Sequence, residues 1–246
     1  VAIDYNKRRP DPPQQPPAGG PGGGAQGGAQ GSGASGGGVS LSKVTLTKSA
    51  PSISLTKQGG ATGQLRVNLQ WSQGQGQQKK GFLSRLAGAG SGNVDLDLAC
   101  LWEFSDGSKG VVQALGNAFQ APYSGAPIIR LDGDDRSGSN VGGENMFIDL
   151  SRTSEIRRIL VFTFIYEGTP NWASADGVVT LYPAQGPEIE VRLDESDPSS
   201  PTCVIAMLEN RGGEIVVNRE VRYIRGGQAD VDRAYGWGMD WQRGRK

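Results

Sequence analysis

Residues 94–104 read Val-Asp-Leu-Asp-Leu-Ala-Cys-Leu-Trp-Glu-Phe. Side chains two apart on an extended strand point to the same face. Val94, Leu96, Leu98, Cys100, Trp102 and Phe104 therefore form one apolar face, and Asp95 and Asp97 fall on the other. A period of two predicts a β-strand lying against a partner sheet. The residues that follow, Ser105, Asp106, Gly107 and Ser108, include the Asp-Gly pair that favours a tight hairpin, and residues 111–115 return.

The same period extends outward in both directions. Leu65, Val67, Leu69 and Trp71 alternate with Arg66, Asn68 and Gln70. Residues 128–131, 146–150, 178–182, 189–193, 203–208 and 215–224 read as further short strands. Residues 159–166 (ILVFTFIY) are apolar on both faces, as a central strand between two packed layers must be. Only residues 229–235 look helical. Many short strands separated by turn residues predict an all-β fold: a two-sheet β-sandwich with few short helices. Residues 75–93 interrupt the pattern as a long loop, basic at Lys79, Lys80 and Arg85.

The first 40 residues have a different composition. They hold 12 of the 39 glycines and six prolines, with almost nothing to bury. Such a stretch cannot offset the entropy cost of ordering its backbone. The expected organisation is a disordered Gly/Pro-rich linker over 1–40 and a folded domain over 41–246.

Composition also narrows the function. Lys plus Arg and Asp plus Glu are equal at 25 each, so no basic face is forced and nucleic acid is not an expected partner. There is no histidine, which removes the commonest general base near neutral pH and the commonest zinc ligand. Cys100 and Cys203 sit in apolar stretches and read as reduced core thiols, which fits a cytoplasmic protein. No apolar run approaches the roughly 20 residues that span a bilayer.

The acids carry the chemistry. Besides Asp95 and Asp97, residues 130–145 read RLDGDDRSGSNVGGEN, with Asp132, Asp134, Asp135, Ser137 and Glu144 interleaved with glycine. Two like charges at about 4 Å repel by about 4 kcal/mol at an effective dielectric near 20, and a cation removes that repulsion. Glycine lets carboxylates and carbonyls converge, and Ca²⁺ takes six to eight oxygens in flexible geometry. Magnesium prefers stricter octahedral sites. Zinc and copper lack their nitrogen and sulfur ligands. The spacing is not that of an EF-hand, since Arg136 and Ser137 stand where a ligand and the glycine belong. Against the cation stands a plainer reading: Asp95 and Asp97 keep a solvated face wet, and the loop is an ordinary Asp/Gly turn. Asp95 with Glu144 as the acid–base pair of a hydrolase is a third reading. A calcium-dependent sugar module with Trp102 or Trp172 as platform is a fourth. No arginine cluster of the kind that would bind an oxyanion is apparent.

The strand NVDLDLACLWEF, the return GVVQALGNAF, the loop GDDRSG, the later GGENMFIDL and the strand ILVFTFIYEG stand in an order that resembles the TerD-like tellurium-resistance family. The resemblance runs over residues 44–238 and looks closest to its actinobacterial TerA-like branch, with a Gly-rich arm and the ending YGWGMDW. It implies a β-sandwich with calcium near one edge. The family's Asp-x-Asp-Ala motif matches Asp95 and Asp97, with Leu98 at the alanine. Its Gly-Asp-Asn-x-Thr-Gly loop falls on Gly133, Asp134, Asp135, Arg136, Ser137 and Gly138. Asn117 matches a neutral oxygen ligand and Glu195 an acidic position. Its Asp-Asp-Glu element falls on Gly142, Gly143 and Glu144, so two acids have become glycines here. The resemblance further implies a non-catalytic, calcium-dependent interaction protein of the tellurite or general stress response, working with protein partners at the inner face of the membrane.

Overall fold

The computed structural model describes residues 43–72, 95–132, 143–167, 172–193 and 199–241. The expected linker over 1–40, the basic loop and the centre of the acidic loop lie outside them. Thirteen strands follow one another among the described residues: β1 (Lys43–Thr45), β2 (Ser52–Ser54), β3 (Gln64–Gln70), β4 (Asp95–Phe104), β5 (Lys109–Val112), β6 (Gln120–Ala121), β7 (Ile129–Leu131), β8 (Glu144–Asp149), β9 (Ile156–Glu167), β10 (Gly177–Tyr182), β11 (Glu188–Leu193), β12 (Thr202–Arg211) and β13 (Glu214–Ile224). The helices are α1 (Trp172–Ala175) and α2 (Gln228–Tyr235).

The strands form two sheets, ordered β1-β11-β10-β3-β8-β7-β6 and β2-β13-β12-β9-β4-β5. This is the expected two-sheet sandwich. Its interior is filled by the faces that the period of two picks out: Leu65, Val67 and Leu69 from one sheet, and Leu96, Leu98, Cys100 and Trp102 from the other. The Asp106–Gly107 turn closes the β4–β5 hairpin. Ser108 N–H donates to Asp106 Oδ1 at 2.9 Å, and Gly107 takes φ +84°. Both cysteines are buried free thiols, and burial pushes the Cys100 thiol up, well away from thiolate reactivity.

A second apolar layer covers the outer face of the β9/β4 sheet. Ala99, Leu101, Leu160, Phe162 and Phe164 pack there against Val231 of α2 and Trp237. Strand β4 is thus buried at all ten positions. The two faces of β9 divide between the layers, with Ile159 and Val161 in the sandwich and Leu160 and Phe162 beneath α2. Helix α2 turns into the sheet through Gly236, a left-handed cap at φ +59°. Asp232, only 4% exposed, then accepts from the amides of Gly238 (2.8 Å) and Met239 (2.9 Å) and from Trp241 Nε1 (2.8 Å). A buried carboxylate with three such donors is well compensated for lost water.

At the far edge of the other sheet, β1 runs parallel to β11, and Lys43 and Arg192 both pair with Glu190. The Lys43 hydrogen bond, followed by Coulombic attraction to Arg192, holds the buried Glu190 carboxyl below its usual range. A folded-state pKa that is depressed adds stability above the unfolded value, and the gain is lost as pH falls through the folded one. Stability curves for wild type and Glu190→Gln should therefore converge between about pH 6 and about pH 3. A gap that stays constant across that window would show the pair to be inert.

Candidate functional site

Strand β5 flanks β4 only from Cys100 to Glu103. Nearer its start, β4 has a stretch of edge that β5 does not reach. There Glu144, the first residue of β8 in the opposite sheet, crosses over: its Oε2 accepts the Leu98 N–H at 2.7 Å. The carboxylate thus lies beside the Asp97–Leu98 peptide. Asp95 is 5% exposed, Asp97 3% and Glu144 2%. Asn68 of β3 braces the start of β8, donating through Nδ2 to Glu144 O at 3.3 Å and to Asn145 Oδ1 at 2.9 Å.

The structure therefore brings Glu144, which closes the acidic loop, against the β4 backbone beside Asp97. It overturns the solvated-face reading, since both β4 aspartates are buried. Removing a carboxylate from water costs several kcal/mol unless hydrogen bonds or counter-charge compensate it. The donors gathered here are hard oxygens, which suit a divalent cation of the calcium type and not zinc.

The other predicted ligands are placed differently. Asp132 donates its backbone N–H to Asn145 O at 2.8 Å, so it adjoins β8. Its side chain lies on the Arg130 side of β7, 51% exposed and 3.9 Å from Arg130 Nη1, on the face opposite Leu131. Asn117 is exposed at φ +58°, ending the 3-10 turn Leu115–Asn117 that follows β5. Asp134, Asp135 and Ser137 lie outside the described residues, as does Glu195. Among the described residues, no group of three or more acidic or thiol side chains that could hold a metal ion is found. Asp95, Asp97 and Glu144, all among the described residues, therefore do not make such a group by themselves.

The glycine at 143 has a local cause. It sits at φ +60°, and a Cβ there would stand 2.2 Å from Leu69 O. An acid at this position is incompatible with the β3–β8 approach that delivers Glu144.

The sugar-platform expectation fails. Trp172 is fully buried with Nε1 donating to Ser200 O at 2.7 Å, and Trp102 is 3% exposed in the sandwich, so neither can be a sugar platform. Residues 235–241 lie on a sheet face, with Trp237 at 0% exposure. Sequence reasoning also missed Glu103, which is 2% exposed and pairs with Arg157 at 2.7 Å and Arg158 at 2.6 Å. The signal available was a charged pair at the head of an otherwise apolar strand.

No family model matches the chain. It is 47% identical over 208 residues to the curated tellurium resistance protein TerA of Alcaligenes sp., a match covering 85% of this chain and 60% of that protein. The chain thus spans less than two thirds of that relative's length. A solved protein described as of unknown function superposes with a TM-score of 0.51 at 15% identity, over 72% of this chain and 98% of its own, which bears on the fold alone. A solved homologue of telluride resistance protein TerD from Streptomyces coelicolor A3(2) gives 0.45 at 17% identity, over 68% and 94%. Nearly half of the aligned residues are shared with TerA over 85% of this chain, a likeness that supports a place in the tellurium-resistance family.

Proposed function

We propose that the chain is a calcium-binding, non-catalytic interaction module of the tellurium-resistance system. The observation that carries this reading is the burial of Asp95, Asp97 and Glu144, with Glu144 of one sheet bonded to the Leu98 amide of the other. Calcium there would neutralise the acids and tie residues 130–145 to the β4 strand. Asp134, Asp135, Ser137, Asp132 and Asn117 would complete the oxygen set. Bound calcium supplies charge neutralisation and cross-linking of the two segments. The chain's own residues fix Glu144: Asn68 sets the start of β8, and the Leu98 amide orients the carboxylate. A surface organised this way would be read by protein partners of a cytoplasmic stress-response complex at the inner membrane face.

Calorimetric titration of calcium into chelator-treated protein tests the assignment. Asp95→Ala and Asp97→Asn should each weaken binding by about tenfold or more, equivalent to about 1.4 kcal/mol. Unchanged affinity in both variants would remove these residues as ligands. Hydrolysis of glycoside substrates that is lost in the same variants would favour the acid–base pair instead.

A further inference from the structure

The other end of β4 carries a feature of opposite charge. Opposite Glu103 and Phe104 the β9 register shifts: Glu103 pairs with Arg158 and Phe104 with Ile156, leaving Arg157 as an extra residue. A bulge of this kind lets two successive side chains reach one partner. Arg157 Nη1 and Arg158 Nε accordingly bind the two oxygens of Glu103. Arg158 is further fixed beneath Trp237, its guanidinium carbon 3.9 Å from the ring centroid. The carboxylate that anchors both is almost wholly buried, so the two guanidiniums are held in place before any ligand arrives.

They open onto a cavity of about 300 Å³ lined by Arg157, Arg158, Glu209, Asn210 and Arg211. Arg157 is 65% exposed and Arg211 60%, and each bonds a carboxylate through one nitrogen, Arg211 through Nη2 to Glu209 Oε2 at 2.6 Å. A guanidinium has five donors and stays charged at any ordinary pH. Most of the donors on these two side chains are therefore directed to solvent at the cavity. Lys109 lies 3.8 Å from Glu103, and Glu214 is a further carboxylate within Coulombic reach of Arg211. Asn218 Nδ2 also holds Glu209 Oε2, at 3.0 Å, so Glu209 keeps a partner if Arg211 turns away.

From this geometry we infer that the Arg157–Arg158–Arg211 cavity binds a phosphate-class oxyanion. It corrects the expectation that no arginines converge. Six residues of β4 separate it from Asp97, about 20 Å along the strand, so it is separate from the acidic site. Planar guanidiniums match tetrahedral oxyanions through paired N–H bonds. The anion displaces Glu209 from Arg211 and takes the remaining donors of Arg157.

The test follows the arginine Nε–H resonances by NMR during titration at low salt. One arm uses inorganic phosphate and the other O-phosphoserine, which separates a free anion from an esterified one. Saturable shifts of the Arg157, Arg158 and Arg211 signals are expected in at least one arm. Arg157→Gln and Arg211→Gln should each weaken binding about tenfold, the loss of a charge-assisted hydrogen bond; Arg211→Gln, which does not touch the buried Glu103, should do so with an unchanged melting temperature. Glu209→Gln should tighten binding about threefold, the effect of removing one charge at about 6 Å in near-aqueous dielectric. A purely structural ion network would not produce that gain. Shifts that never saturate, or that persist undiminished in the arginine variants, would overturn the site.

Discussion

Replacing Trp237 with alanine is expected to cost about 3–5 kcal/mol, the range for removing a large aromatic from a packed core. Trp237 is fully buried. Three contacts bind it to the sheet: Nε1 donates to Trp102 O at 3.1 Å, its carbonyl accepts from Lys109 Nζ at 2.8 Å, and Arg158 covers its ring. Alanine would leave Trp102 O without that donor and open a void over Leu101 and Phe162. For a domain of this size the loss should lower the melting temperature by about 10 °C. Trp237→Phe keeps most of the packing but drops the Nε1 bond, so it should fall between the two. The Arg158 environment should change in both variants, since its stacking partner is altered. A Trp237→Ala protein melting within about 2 °C of wild type would mean that the outer layer contributes little to stability.

That layer marks the limit of what the sequence discloses. Period two in residues 64–70 and 95–104 was enough to give the strands, their inward faces and the sandwich. The 3.6-residue pattern near residue 230 was enough to give α2. What it could not give was the environment of the second face of β4. Asp95, Asp97 and Glu103 follow the same alternation as solvent-facing acids on an ordinary outer strand. Whether they are buried is decided by segments distant in sequence, Glu144 beside Asp97 and Arg157 and Arg158 beside Glu103, and no local pattern encodes those approaches. The buried Glu103 was invisible for the same reason, because its partners Arg157 and Arg158 converge only through a bulge in the β9 register. In the acidic region, resemblance singled out Glu144 and Asp97 as related. Their meeting became physical only with the Glu144 bond to the Leu98 amide.

The last expected result concerns the glycine beside Glu144. Compared with the family pattern, Gly143 looks like a lost calcium ligand, and Gly143→Asp looks like a repair. The backbone predicts the reverse. A residue with a side chain at φ +60° costs about 1–3 kcal/mol from conformation alone. Its Cβ would also overlap Leu69 O, a backbone atom in the β3–β8 ladder that cannot rotate away. Relief requires residue 143 to move off β3, and Glu144, paired with Leu69, must move with it. The acid gained would displace the acid already in place. Gly143→Asp and Gly143→Ala should therefore each destabilise the protein by about 3 kcal/mol or more in urea melts, and the aspartate variant should bind calcium more weakly than wild type. Because alanine brings no charge, comparable losses in the two variants would assign the effect to backbone geometry. If Gly143→Asp instead melts like wild type and binds calcium more tightly, the approach of β8 to β3 is looser than described, and the glycine is a lost ligand after all.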